Sequence, residues 1–446
     1  MKIEKKLWII LFAFGIFAIC FSGWIFRQST AREKLFWDNT IRCETKELKE
    51  GEIKSENIAL PEDFDVPKSI LFKTTHTIAE VWLDGEKIYE YGNEADAPGF
   101  MKTPGSCWHI VDIPGDSSGK NLEVRIIPVY EGYYGNEVSL VYGTRGDCIL
   151  KILTDSLGIL VISCGILFAA VICILLYCGA ARRKRSDKTE AKIEIFLNLG
   201  FFSLLVAVWT LVQCGFLQFL IPDGRTLYFV EYFSLFLFPV PFNFLLYDIC
   251  KSRYHKGALI FSILYLTNMA VDVLLQCTGI IDMSRLLSVI HVIMVANVVY
   301  TVVIILYEAG KKENDVAQKF RYPMCVVMGF GMAEMIFYYL RRFEQISILL
   351  SMGTMLFIIM LIWIQVSQYY DQYIQKQKVI YLQKIANMDM LTEAMNRNAY
   401  EDMVKYLDEG EIKLSTTGVV VFDLDDLKVI NDNFGHEKGD RSEEHT

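Results

Sequence analysis

The chain has 446 residues, of which 53% are hydrophobic and only 22% charged, with a mean hydropathy of +0.30. This composition excludes an ordinary soluble enzyme, a disordered chain, collagen and a long coiled coil. The formal charge of −9, with no basic face rich enough to hold a phosphate backbone, argues against nucleic acid as a partner.

A helix crossing the hydrocarbon core of a bilayer needs about 20 mainly apolar residues, with every backbone group satisfied inside the helix. Eight runs meet this, at 7–26, 153–178, 195–221, 227–249, 259–279, 286–307, 322–340 and 346–366. Cys20, Cys164, Cys173, Cys178, Cys214, Cys250, Cys277 and Cys325 sit in or beside these runs, where thiols act as small hydrophobes. Residues 1–26 are read as a retained membrane anchor rather than a cleaved signal peptide, because the apolar stretch is long and no small-residue cleavage site follows. Positive flanks are held on the cytoplasmic side. Lys2, Lys5 and Lys6, the Arg182 to Arg185 run, Lys251, Arg253 and Lys256, and Lys311 and Lys312 all fall inside on one consistent count, while Arg341 and Arg342 dissent. The expectation is a multi-pass protein of a bacterial cell membrane, with residues 27–152 extracytoplasmic, a seven-transmembrane helical unit at 153–366 and a cytoplasmic C-terminus.

Within 27–152, short alternating apolar runs separated by turn residues predict antiparallel β-structure, including Ala79 to Leu83, Leu122 to Ile127 and Val138 to Val141. Asp84-Gly85 between two such runs predicts a two-residue hairpin. A β-sandwich is the expected architecture. The run Val81-Trp82-Leu83-Asp84-Gly85-Glu86-Lys87-Ile88 resembles the hairpin of galactose-binding-like jelly rolls, which implies a sensor for carbohydrate or another small ligand. Trp82, Trp108, Tyr89, Tyr91, Tyr130, Tyr133 and Tyr134 either stack on such a ligand or serve as core and surface aromatics, the second being favoured. Cys43, Cys107 and Cys148 lie in a compartment that permits disulfides; a Cys43–Cys148 pair and free thiols both stay open.

In the helical unit, Glu231, Asp272, His291 and Glu334 are ionisable groups deep in apolar runs, which line a pocket or proton path or act as interhelical glue. Glue is the preferred reading. A transporter should show matched broken helices in two halves, whereas only Pro239-Val240-Pro241 looks like a break.

Residues 367–387 form a linker or signal helix with apolar positions at Tyr370, Tyr373, Ile380 and Ile385, following Val366. Gln377 interrupts the seam, so a coiled coil and a solvated helix both remain open. Next, in 388–440, come Asp389-Met390-Leu391-Thr392, Asn396-Arg397 and helical spacing at Ala399, Met403 and Tyr406. Gly418 to Phe422 reads as a buried strand ending in Asp423-Leu424-Asp425-Asp426-Leu427-Lys428. Carboxylates at a strand end suit Mg²⁺, which takes oxygen ligands and keeps substrate phosphates in its shell, and Lys428 is placed to meet those phosphates. Asn431 to Asp440 then offers an amide and a carboxylate able to read a base edge.

This series resembles the start of the diguanylate cyclase (GGDEF) family, with its motifs D-x-L-T-G-L-x-N-R and D-[IL]-D-x-[FL]-K-x-I-N-D-x-x-G-H-x-x-G-D. The second is matched throughout from Asp423 to Asp440; in the first, Glu393-Ala394 replaces Gly-Leu. The whole plan is similar to bacterial seven-transmembrane receptors with diverse intracellular signalling modules. The resemblance implies an α/β palm-like domain that joins two GTP into cyclic di-GMP with Mg²⁺ or Mn²⁺, as a homodimer through its GGDEF domains and linker helices. It also implies that Asp423 and the Leu424 carbonyl bind the metal, that Asp423 and Lys428 are catalytic with Lys428 on the triphosphate, and that Asn431 and Asp440 read guanine. His436 is assigned to a turn rather than to general base catalysis.

The family's Gly-Gly-Asp/Glu-Glu-Phe loop and its upstream Arg-x-x-Asp motif do not follow Asp440, and residues 441–446 read like a translated sequencing adapter. The expectation is that this chain stops inside the domain and is inactive alone, while its full-length form is the cyclase. The alternatives are a non-catalytic receptor whose degenerate domain binds nucleotide or partners and, less favoured, a transporter with a regulatory tail.

Overall fold

The computed structural model describes residues 40–42, 54–60, 67–93, 97–130, 139–184, 194–311, 314–340, 347–389, 394–409, 418, 420–421, 425 and 427–435. The membrane anchor expected at residues 1–26 therefore lies outside the described residues. The chain divides into two units, residues 1–361 and 362–446.

In the first unit, β1 (Thr40–Arg42), β2 (Lys54–Ala59), β3 (Lys68–Thr75), β4 (Thr77–Leu83), β5 (Glu86–Tyr91), β6 (Ser106–Ile113), β7 (Asn121–Pro128) and β8 (Ser139–Gly143) form two antiparallel four-stranded sheets. Their orders are β1-β8-β3-β6 and β2-β7-β4-β5. Ile70, Phe72, Val111, Ile113 and Leu140 of the first sheet share one core with Ala79, Val81, Leu122, Val124 and Ile126 of the second. The hairpin expected at Asp84-Gly85 is present, with φ of 49° and 84°. Positive φ at both central residues matches the right-handed twist of the flanking strands. Strand β7 alternates buried and partly buried positions, whereas β3 carries the unbroken buried run Ser69 to Phe72. The reason is a second packing face: Leu71 and Val141 cover Cys148 and Ile152 of the following helix. A strand covered on both sides loses the alternation of a one-sided sheet. Cys107 and Cys148 are buried free thiols; Cys43 lies outside the described residues.

Helices follow: α1 (Arg145–Lys184), α2 (Glu194–Gln213), α3 (Gly224–Leu237), α4 (Pro239–Ile249), α5 (Lys256–Cys277), α6 (Leu287–Ala309), α7 (Asp315–Tyr339) and α8 (Ile348–Asn387). Five segments among the described residues are long and apolar enough to cross a membrane: 145–179, 194–213, 224–249, 253–277 and 283–309. The seven expected spans are thus met in part. Helix α7 carries Lys319, Arg321 and Glu334 within its length, and the apolar part of α8, Ile348–Ile364, is shorter than the rest. The segment 224–249 is built from α3 and α4 abutting at Phe238, because Pro239 and Pro241 have no N–H to continue the ladder. Phe202, Phe242 and Phe357 meet at centroid distances of 5.2 to 6.1 Å and bind α2, α4 and α8 together.

Each ionisable group singled out in these runs has a partner. Gln213 donates to Glu231 at 2.7 Å, Asn268 donates to Asp272 at 2.7 Å, and His291 shares a hydrogen bond with Tyr339 at 2.9 Å. The Glu334 carboxylate accepts from the amides of Ser347, Leu349 and Leu350 at 2.7 to 3.0 Å. It caps the N-terminus of α8 from the neighbouring helix, where orphan N–H groups need an acceptor.

The second unit contains the later turns of α8, then α9 (Arg397–Asp408) and α10 (Leu427–Phe434). The buried strand expected at Gly418 to Phe422 is corrected at the described residues Val420 and Val421, which are not in a strand and are 73% and 87% exposed. A buried strand needs a ladder partner and a covering layer. Among the described residues of this unit the pairing is limited to the isolated bridge Met388↔Met395.

Candidate functional site

Asn396 organises the start of the C-terminal segment. Its side-chain oxygen accepts from Ala399 N at 3.2 Å, which caps α9, and its Nδ2 donates to the carbonyls of Ala386 at 2.8 Å and Met388 at 3.3 Å. Asn398 also donates to Ala386 O at 3.3 Å, and the Asn396 amide donates to Asn387 O at 3.0 Å. An amide serves both needs because it is donor and acceptor at once. One residue thereby satisfies the N-terminus of one helix and the carbonyl end of the preceding one. Residues 390–393, including Leu391 and Thr392, lie outside the described residues.

Downstream, Lys428 stands exposed in the first turn of α10, and Asn431 lies on the same helix. Gly435, at φ 82°, follows that helix, a left-handed backbone that suits glycine. Asp425 is exposed in the turn before it. Asp423, Leu424, His436 and Asp440 lie outside the described residues, so the expected constellation is described only at Lys428 and in the backbone position of Asn431. Among the described residues no group of three or more His, Cys, Asp or Glu could hold a metal. The donor chemistry of the segment nevertheless suits a hard cation, since exposed Asp425 adds a carboxylate oxygen to the sequence run Asp423-Leu424.

A second polar centre, not foreseen from the sequence, joins the sheets to the helices of the first unit. Asp282, in the reversal between α5 and α6, is 5% exposed. Its carboxylate accepts from the amides of Lys102 at 3.3 Å and Thr103 at 3.2 Å. The side-chain amide of Gln276 at 2.7 Å and the Tyr130 hydroxyl also donate to it. Gln276 donates as well to Phe100 O at 2.7 Å and accepts from Met283 N and the Tyr228 hydroxyl at 2.9 and 3.1 Å. Nearby, Gln218 reads the edge of β6 in both directions, accepting from Trp108 N at 2.7 Å and donating to Trp108 O at 2.5 Å. It acts as a one-residue substitute for a neighbouring strand, occupying backbone groups that an edge would leave unpaired. Glycine permits the close approach: Gly105, at φ 86°, lies directly against the backbone of Gly224. His76 shares a 2.9 Å hydrogen bond with Thr103 Oγ1 and meets the Tyr228 ring edge-on at 5.8 Å. Burial holds its imidazole down to about 4 against the Coulombic pull of Asp282.

Inside the sheets, His109 forms a further buried cluster. Its ring shares hydrogen bonds with Thr74 at 2.6 Å and Tyr89 at 2.9 Å, with Cys107 Sγ at 3.6 Å. Burial lowers His109 to about 3 and raises the Cys107 thiol to about 11, the latter opposed by a hydrogen bond from Tyr91. A neutral imidazole beside a protonated thiol is a poor nucleophilic pair, since the thiolate is the reactive form. This cluster is core.

Residues 386–442 match the family described as diguanylate cyclase, GGDEF domain. No curated protein and no solved structure matches the chain. Domains of this family take GTP, use Mg²⁺ or Mn²⁺ and typically dimerise. Together with the motif series leading from the Asn396 clasp to Lys428, the match identifies residues 386–442 as sequence of a diguanylate cyclase GGDEF output domain.

Proposed function

We propose that this protein is a multi-pass membrane receptor and that its form carrying the GGDEF domain in full is a diguanylate cyclase. The observation that carries the reading is the unbroken series from Asp423 to Asp440 within the family match. Two domains, each with one GTP, face one another. In each of two steps a 3′-hydroxyl attacks the partner nucleotide's α-phosphorus, a P–O bond forms as the hydroxyl gives up its proton to solvent, the bond to the β-phosphate bridge breaks, and pyrophosphate leaves. Lys428 places its ammonium on the triphosphate, and Asn431 and Asp440 hold the guanine edge. Asp423 and the Leu424 carbonyl would hold Mg²⁺ or Mn²⁺, which neutralises phosphate charge. Alignment of the hydroxyl by bound nucleotides supplies much of the remaining acceleration.

In this reading α7 and the apolar part of α8 complete seven spans with the five apolar segments. The use of Glu334 as a buried helix cap supports counting α7, since a carboxylate whose lone pairs meet backbone amides costs less at membrane depth. An odd number of crossings then puts the sheets and the GGDEF domain on opposite faces, and the basic flanks at Arg182 to Arg185, Lys251 to Lys256 and Lys311 make the GGDEF face the cytoplasmic one. The sheets serve as a jelly-roll-like sensor, for which a carbohydrate is the first ligand class to screen.

The test is an assay of the full-domain protein with GTP and Mg²⁺. Cyclic di-GMP should form, and Asp423→Ala should abolish it while leaving the protein folded. GTP binding without turnover would instead establish the non-catalytic receptor.

A further inference from the structure

The end of the helical bundle remote from the sheets carries a second organised polar centre. The reversal after α4 and the one after α6 are tied together by Glu308, which is fully buried. Its carboxylate accepts from Lys251 N at 3.1 Å, Ser252 N at 2.8 Å and Asn314 Nδ2 at 2.8 Å. Asn314 also donates to Ile249 O at 3.1 Å and caps α7 through Ala317 N at 3.1 Å. The carboxylate is thus satisfied by neutral donors and forms no ion pair with Arg253 or Lys311 among the described residues.

Those cations rest on aromatic faces. Arg253 lies 5.0 Å from the centroid of Tyr254, and Lys311 lies 4.5 Å from that of Tyr307. The two rings meet edge-to-face at 5.8 Å, so the two charges belong to one patch. Tyr300 fixes it by donating to Tyr254 O at 2.7 Å. Tyr254 and Tyr307 are 50% and 48% exposed, and among the described residues neither Arg253 nor Lys311 forms an ion pair. Asp315 is exposed at the start of α7, and Glu313, two residues from Lys311, lies outside the described residues. Helix α5, with 22 residues about 33 Å long, separates this patch from the Gln276 and Asp282 junction. Along α5, starting about 15 Å from Arg253, runs a shallow apolar groove lined by Ile263, Leu266, Thr267, Ala270, Val271 and Leu274.

We infer that Arg253 and Lys311, on the paired Tyr254 and Tyr307 rings, form a site for the headgroup of an anionic phospholipid, with an acyl chain along the α5 groove. The inference rests on the membrane reading above. Two cations that form no ion pair among the described residues, held by a buried knot at the depth where aromatic belts lie, suit a phosphodiester with its own net charge. A zwitterionic headgroup cancels its phosphate with a choline and gains much less.

The test uses the chain purified in detergent, loaded with phosphatidylglycerol or phosphatidylcholine and analysed for retained lipid by native mass spectrometry. Phosphatidylglycerol should be retained in preference. Each of Arg253→Gln and Lys311→Gln should lower that preference about fivefold, and the double variant about 30-fold. Lys120→Gln, on the sheets, should not change it. The single variants carry the test if the double variant does not fold, as judged by melting temperature in phosphatidylcholine. Equal retention of the two lipids, or an undiminished preference in the variants, overturns the inference while leaving the membrane reading intact. A chain that stays dispersed without detergent overturns that reading as well.

Discussion

Asp282 and Lys428 each carry a single charge, yet the chain treats them in opposite ways. Asp282 is buried and surrounded by backbone amides, a tyrosine hydroxyl and a glutamine, all donating to it. Lys428 stands exposed on a short helix. The first charge is consumed by the fold; the second stands in solvent, where the proposed triphosphate would meet it. Glu308 and Glu334 follow the Asp282 pattern, each gathering backbone amides at a chain reversal. The lesson is that Asp282, Glu308 and Glu334 act as acceptors for the backbone of turns, whereas Glu231, Asp272 and His291 bond to side chains, and that stability and activity should separate between such buried groups and exposed Lys428.

The largest effect is expected at Asp282. Replacement by alanine strands two amides, a hydroxyl and a side-chain amide in a buried site, at a cost of about 3 to 5 kcal/mol. Asp282→Asn keeps one acceptor oxygen and should cost less than half of that. Thermal unfolding of the detergent-solubilised protein measures both. An alanine variant that melts like the wild type would break the contrast with Lys428 at once.

Acid should act on the same junction. His76 is held down to about 4 from an ordinary 6.5, so the unfolded chain binds a proton that the folded chain refuses between those values. Stability from this group is complete above about pH 6.5 and falls as pH drops toward 4, by up to about 3 kcal/mol. His109, lowered to about 3, extends the loss in the same direction. Melting temperature measured from pH 7 to 4 should fall more steeply for wild type than for His76→Gln. Parallel curves would remove the histidine from the account.

A smaller effect is expected at the start of the GGDEF segment. Asn396→Ala removes the cap of α9 and the bonds to Ala386 O and Met388 O, which should cost about 1 kcal/mol. Hydrogen exchange of the amides in the first turn of α9 should quicken accordingly. Asn396→Asp retains the acceptor but not the donor, so it should protect α9 and still loosen the end of α8.

How much of this could be read from residues alone depended on how local the cause was. The hairpin at Asp84-Gly85 needs two positive φ values and nothing distant, and the pattern revealed it. The apolar segments follow from composition, and the GGDEF segment from an ordered motif. Strand β6 around Trp108 was not foreseen, because its pairing with β3 and the Gln218 clasp lie far away in sequence. The Asp282 junction was hidden for the same reason: its partners at Lys102 and Thr103 are about 180 residues away and contribute backbone amides, which leave no mark on side-chain identity. Val420 and Val421 were misread as buried because β-branched residues signal strand propensity, whereas burial needs partners that propensity does not supply.

Lys428→Ala provides the sharpest small-effect test, since it should leave stability unchanged within experimental scatter. The side chain is exposed, and no hydrogen bond or ion pair of Lys428 is among those described, so truncation removes solvent contacts rather than protein contacts. Leucine or methionine at the same position should be equally neutral in melting. In the full-domain protein, however, the same substitution takes a positive charge away from the proposed triphosphate, and GTP affinity should fall at least tenfold, with Lys428→Arg recovering part of it because charge is kept while reach and geometry change. Calorimetric titration with GTP beside a melting curve on one preparation gives both answers. A variant that melts early, with unaltered nucleotide affinity, would place Lys428 with Asp282 as a residue of the fold and leave the phosphate to another group.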